Sequence, residues 1–147
     1  MSIRRDFPDL PPVWALGTVA AQWLVAWALP LLRLPGAAAW SWLPIAGGLA
    51  LAIWAALWFR RKRTSIEPRD EPRALIVEGP FLLNRNPIYT GMTLCLIGTG
   101  LWFEALSALA LALVFPWIIT ARFIRQEEAT LKAAFPDTDY FDRTRRW

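Results

Sequence analysis

Four stretches of this chain contain no charged side chain: Leu10–Leu32, Leu34–Phe59, Asn86–Phe103 and Ala105–Ala121. Each approaches or exceeds the ~18–20 residues that an α-helix needs to cross ~30 Å of hydrocarbon. With 56% hydrophobic residues, the 147-residue chain is also too apolar for a typical soluble domain. The expected fold is an all-α integral membrane bundle of four transmembrane helices, about residues 12–32, 40–59, 87–103 and 105–121, followed by a cytoplasmic amphipathic C-terminal helix. A single domain covers 1–147.

The first run, after Arg4 and Arg5, superficially resembles a signal peptide ending near Ala37-Ala38-Ala39. Its charge-free length exceeds the ~7–15 residues of such a segment, and Arg33 precedes the small residues, so it reads as a retained span. Basic residues set the orientation. Arg60, Arg61, Lys62, Arg63, Arg69, Arg73 and Arg85 crowd the segment between spans two and three, whereas the other two turns offer only Arg33 and Glu104. The positive-inside rule therefore puts both termini and the 60–85 loop in the cytoplasm of an integral membrane protein. Trp40, Trp42, Trp58 and Trp102 fall near span ends and read as interfacial anchors, and Pro116 should kink span four.

Several chemistries are removed at once. Without histidine there is no imidazole for general-base catalysis, a Ser-His-Asp triad or the usual metal sites. The single Cys95 cannot form an internal disulfide, and in an apolar helix it reads as an inert small side chain. The pI near 10 marks the cytoplasmic side and attraction to anionic membrane lipids; no nucleic-acid motif accompanies it.

Two cytoplasmic stretches are too specific for plain connectors. In the first, Arg73 to Phe81 leads through Leu82-Leu83-Asn84 into Arg85-Asn86-Pro87-Ile88-Tyr89-Thr90-Gly91. Asn86 suits a helix N-cap and Pro87 the first helical position, which explains Asn-Pro but not its neighbours. The second runs from Arg122 through Arg125, Gln126, Glu127, Glu128 and Leu131 to Phe135, Tyr140 and the terminal Arg146-Trp147. Two carboxylates close to a span end can hold a cationic or hydroxyl-bearing ligand at the membrane surface.

Together these stretches resemble the isoprenylcysteine carboxyl methyltransferase and phospholipid methyltransferase group of integral-membrane enzymes. The likeness covers roughly residues 60–147: the Leu75–Phe81 turn, the Arg85–Tyr89 element, Gly98-Thr99-Gly100, then Glu127-Glu128-x-x-Leu131, Phe135 and a terminal Arg-Trp. Asn86 stands where many relatives carry histidine. The resemblance implies methyl transfer from S-adenosylmethionine to a lipophilic acceptor, an isoprenylcysteine-like carboxylate or a phospholipid amine. It implies a cofactor region within 73–147, with Arg73, Ala74, Leu75, Ile76, Phe81, Asn86, Pro87, Ile88, Tyr89, Glu127 and Glu128 at the cofactor and Arg122 and Arg125 as candidates to contact the substrate. No metal is implied.

The chemistry of these residues suits those roles. A carboxylate such as Glu127 can take the cofactor's ammonium or ribose hydroxyls, a helix start its carboxylate, and the aromatic faces of Phe81 and Tyr89 its sulfonium. The rival from another class is a non-catalytic membrane subunit of the same fold that docks a protein partner through its tryptophan-rich helices.

Overall fold

A computed structural model describes residues 7–65 and 72–147. Arg4, Arg5 and Arg69, which entered the orientation argument, lie outside the described residues. Helix α1 (Pro11–Ala28) starts on two prolines, whose missing N–H groups cost nothing in the first turn, and it stops just before Pro30. At Gly36 the backbone takes φ +83°, the left-handed turn that glycine adopts without strain. A short 3-10 turn, Ala37–Trp40, then leads into α2 (Trp42–Lys62). Helices α3 (Pro87–Trp102) and α4 (Leu106–Ile119) form a tight hairpin around Glu104. After Pro116 the irregularity is a widened π-helical turn, Thr120–Ile124, through which the chain stays helical into α5 (Arg125–Ala134). A short α6 (Tyr140–Arg143) precedes the C-terminal tail.

The all-α expectation is met, and a helix occupies each of the four apolar stretches. Among the described residues, only Ala37–Lys62 and Leu106–Ala134 are long and apolar enough by themselves to cross a membrane. Helix α3 has 16 residues, about 24 Å at 1.5 Å per residue, and α1 carries Gln22 near its middle.

Glycine sets the helix spacing. A methyl group built on Gly91 would lie 2.5 Å from the Gly48 carbonyl oxygen and 3.0 Å from Ala52 Cβ, so α2 and α3 meet backbone to backbone there. Gly98 faces the Ser41 carbonyl in the same way, and Gly100 faces Leu109 of α4. Close approach at small residues is how helices gain packing energy where lipid offers no hydrophobic drive between them. Cys95 sits half-buried on the α2–α3 seam, its thiol 3.7 Å from the Ile45 carbonyl.

Gln22 is wholly buried and fully satisfied. Its Nε2 donates to the Leu96 and Ala108 carbonyls at 2.8 and 2.9 Å, and its Oε1 accepts from Thr99 Oγ1 at 2.6 Å, tying α1 to α3 and α4. Trp40, Trp42 and Trp102 are exposed at the Glu104 end, as interfacial anchors would be. Trp58 is not: its ring packs on Gly79, with the side chains of Arg61 and Lys62 over it.

Candidate functional site

At the end of the bundle away from Glu104, the start of α1, the end of α2, the start of α3, α5 and the tail surround a cavity of about 370 Å³. Its walls are built by local rules. Gly79 has φ +62°, and the Trp58 ring fills the space a side chain would need, so the Gly79-Pro80-Phe81 turn lies flat on α2. Phe81 is buried edge-on to Phe59, with ring centres 5.6 Å apart. Lys62 Nζ donates to Glu78 at 2.6 Å, holding the turn at its other side, and this bond keeps the Glu78 carboxyl below its usual range.

The entry to α3 differs from the expected cap. Asn86 does occupy the N-cap position, and its carbonyl accepts from the Thr90 amide at 3.0 Å, but its side chain makes no capping bond. Instead Asn86 Nδ2 donates to the Arg146 carbonyl at 3.0 Å, and Asn84 Oδ1 accepts from the Asn86 amide at 2.9 Å. The neighbouring Arg85 behaves similarly: its amide donates to the Arg145 carbonyl at 2.8 Å and its guanidinium to the Phe141 carbonyl at 3.1 Å. The Arg-Asn dipeptide thus grips the C-terminal tail.

Most of the residues singled out from sequence reach the cavity. Ala74, Leu75, Ile76 and Phe81 line one wall, Asn86, Pro87, Ile88 and Tyr89 a second, and Glu127 and Glu128 a third. Arg73, Arg122 and Arg125 are absent from the walls. Arg73 lies on the surface, where its amide donates to Thr64 Oγ1. Arg122 is drawn aside by Asp9, to which its guanidinium donates at 3.0 and 2.6 Å. Arg125 stands two residues before Glu127, about 200° around the helix, so when Glu127 faces inward Arg125 faces out. The arginine at the cavity wall is Arg85, and Met92, Phe123, Gln126, Tyr140 and Phe141 also line it without having been proposed. Arg85 stood inside the quoted motif, and Tyr140 was the only tyrosine of the tail; both signals were available.

The glutamate pair divides. Glu127 Oε1 accepts from the Tyr89 hydroxyl at 2.6 Å, linking α5 to the first turn of α3 at the cavity wall. Glu128 is 7% exposed and receives both forks of Arg146 at 3.0 and 2.6 Å, with an Arg85 nitrogen at 3.4 Å. That bond raises Arg146 further above its already high value. Tyr140 is buried below, its hydroxyl donating to the Phe81 carbonyl at 2.8 Å, and burial pushes its phenol up to about 12.

The arrangement is a largely apolar chamber with a carboxylate, a phenol and a helix start at its wall, reached by elements separated widely in sequence. Residues 37–138 match the model of the phospholipid methyltransferase family. The chain belongs to the phospholipid methyltransferase family. It is 30% identical over 134 residues to the cobalt-zinc-cadmium resistance protein CzcN of Cupriavidus metallidurans, a match covering 84% of this chain and 52% of that protein. The chain therefore spans about half the length of the curated relative it matches. No solved structure matches it. Family membership extends across α2 to α5, the elements that supply most of the cavity wall, and accords with a methyltransferase in a membrane.

Proposed function

We propose that this protein is an integral membrane methyltransferase that takes S-adenosylmethionine into the cavity between α3, α5 and the 73–81 segment. The observation that carries the reading is the convergence of Ala74–Ile76, Phe81, Asn86–Tyr89 and Glu127 on one cavity inside a chain of this family. The cavity volume falls among those of small-molecule sites, which run from about 300 to 1,000 Å³. Four helices cross the bilayer, with both termini and the 60–85 loop on the cytoplasmic side.

The residues fit the group. Glu127 offers a carboxylate to an ammonium or to ribose hydroxyls, and the Tyr89 hydroxyl holds that carboxylate in one orientation. The amides of Ile88 and Tyr89 open α3 after Pro87 and suit an anionic end. Phe81 and Phe123 keep water out and offer ring faces to a cation. When bound, S-adenosylmethionine supplies an electrophilic methyl group on a sulfonium. The chain's own contribution is to hold the reactants in line in a dry chamber, which alone can supply much of the acceleration.

The acceptor is a lipophilic molecule entering from the membrane, either a phospholipid amine or an isoprenylcysteine-like carboxylate; the family description weighs toward the phospholipid. Titration of the purified protein with S-adenosylhomocysteine is the test. Saturable binding is expected, and Glu127→Gln should weaken it by more than about tenfold, equivalent to losing a charge-assisted hydrogen bond of about 1.5–3 kcal/mol. A wild-type protein that binds none would overturn the reading in favour of a non-catalytic subunit.

A further inference from the structure

The C-terminal tail is bound to the cavity wall by Arg85 and by Asn86, the second of which the family resemblance assigned to the cofactor. Arg85 and Asn86 spend three hydrogen bonds on the carbonyls of Phe141, Arg145 and Arg146. Tyr140 closes the near end of the tail onto Phe81, and Trp147 Nε1 donates to Thr120 Oγ1 at 3.2 Å at the far end. Between these anchors Arg146 reaches inward to Glu128, whose carboxylate is almost entirely withdrawn from solvent. Glu128 in turn is the neighbour of Glu127 on the first turn of α5, where that helix leaves the widened turn at Thr120–Ile124.

A π-helical turn closes i→i+5 hydrogen bonds, so the helix that follows is rotated away from the course an uninterrupted α-helix would take. Contacts from outside the helix can then hold the face of α5 that lines the cavity. The two forked bonds from Arg146 to Glu128 do so with angular precision, since a guanidinium and a carboxylate meet in one plane. We infer that Arg146 is a positioning residue: through Glu128 it sets the rotation of α5, and thereby holds the Glu127 carboxylate against Tyr89 at the cavity wall. Arg85 and Asn86 serve the same end by fixing the backbone from which Arg146 extends. The tail is then part of the binding site's frame, although neither Arg146 nor Glu128 is required to touch the ligand.

This inference rests on the proposal that the cavity binds S-adenosylmethionine, and its test separates the two. Affinity for S-adenosylhomocysteine is measured on the full chain for wild type, Arg146→Lys, Glu127→Gln and the double variant. Arg146→Lys keeps the charge but loses the planar fork, and should weaken binding roughly tenfold, the scale on which supporting groups behind a site act. In the Glu127→Gln background the same substitution should cost less than about twofold, because the group it positions is already gone. Equal losses in both backgrounds, or no loss in either, would overturn the positioning role while leaving cofactor binding intact. Thermal unfolding of the same variants provides a second measure: Arg146→Lys is expected to remain folded at the assay temperature, and a loss of affinity matched by an equal loss of folded protein would count against the inference. Absence of binding in wild type would defeat the functional proposal itself.

Discussion

The two ends of the bundle each hold a conspicuous carboxylate, and they use it differently. At one end Glu104 sits in the α3–α4 turn with φ +51°, and its Oε1 accepts from the amides of Gly36 at 2.8 Å and Ala38 at 3.4 Å. Its own carbonyl accepts from Leu34. Loops there are short, and the polar groups beneath, Gln22 and Thr99, satisfy one another. At the other end Glu127 and Glu128 bond to side chains from α3 and from the tail, beside a chamber that no group among the described residues fills. A carboxylate that closes backbone turns is architecture. One held by side chains from distant segments at a cavity wall is the place to look for chemistry.

The largest expected effect tests the division inside the glutamate pair. Glu128→Gln leaves the buried Arg85 guanidinium without its counter-charge; breaking a fully buried pair costs about 3–5 kcal/mol, and the 37% exposure of Arg146 brings the expected loss down to about 2–4 kcal/mol. Glu127→Gln keeps a hydrogen-bonding partner for Tyr89 and should cost less, about 1 kcal/mol. Thermal unfolding of the two variants in the same detergent decides the matter. Similar melting temperatures would erase the distinction between a frame residue and a wall residue.

Next in size is a test of the close-packed half. Gly91→Ala places a methyl group against the Gly48 backbone and should destabilise by about 1–3 kcal/mol, whereas Gly47→Ala meets nothing within 4 Å. The latter should be neutral or gain up to about 1 kcal/mol from helix propensity. If Gly47→Ala proved the worse of the two in a chemical-denaturation series, the α2–α3 seam would not be where the glycines place it.

How far these halves could be foreseen depends on what each feature rests on. Hydrophobic length alone announced four helices, and the Asn86-Pro87 signal placed the start of α3. Local chemistry failed at Asn86, because a tertiary acceptor, the Arg146 carbonyl, outcompeted the capping bond that the isolated helix would favour. It also treated Glu127 and Glu128 as one unit. Neighbours on a helix differ by 100° in direction, and only the position of Arg146, eighteen residues onward, separates them. Arg122 and Arg125 were chosen by nearness in sequence to the glutamates, a criterion blind to the widened turn that carries Arg122, to Asp9 on another element, and to the opposite faces of α5 taken by Arg125 and Glu127. Gln22 carried a readable signal, a lone amide in a charge-free run, which in a membrane helix asks for partners on neighbouring helices.

A smaller effect probes how the tail end is sealed. Tyr140→Phe removes one buried hydrogen bond to the Phe81 carbonyl and should cost about 1 kcal/mol. The phenol's folded pKa of about 12 lies above its usual 10, so the protonated form is the one favoured by folding. Stability from this group is therefore complete below pH 10 and is lost as pH rises toward 12. Of the two tyrosines in the chain, the spectroscopic titration should find this one late. Ionisation of Tyr140 near pH 10 in the folded protein would mean that the tail stands open to water.

The smallest effect comes from an ion pair at the same end as Glu128 but without its burial. Lys62 and Glu78 meet at 2.6 Å, yet their side chains remain 34% and 44% exposed, so water and salt screen the pair. Its contribution should fall near 0.2–1 kcal/mol despite a bond as short as those around Glu128. The sign with pH is opposite to that of Tyr140. The Lys62 hydrogen bond lowers the Glu78 pKa from 4.5, so the stabilisation is present above that value and disappears as pH falls through the folded pKa. Glu78→Gln should accordingly lose little at neutral pH, converge on wild type in acid, and differ from it still less in molar salt. Glu128→Gln should keep more of its deficit in salt, because the Glu128 carboxylate and the Arg85 guanidinium are withdrawn from solvent even though Arg146 is 37% exposed. Equal salt sensitivity for the two substitutions would show that solvent reaches Glu128 as it reaches Glu78, and the frame around the cavity would then be held by something other than the arginine forks on this carboxylate.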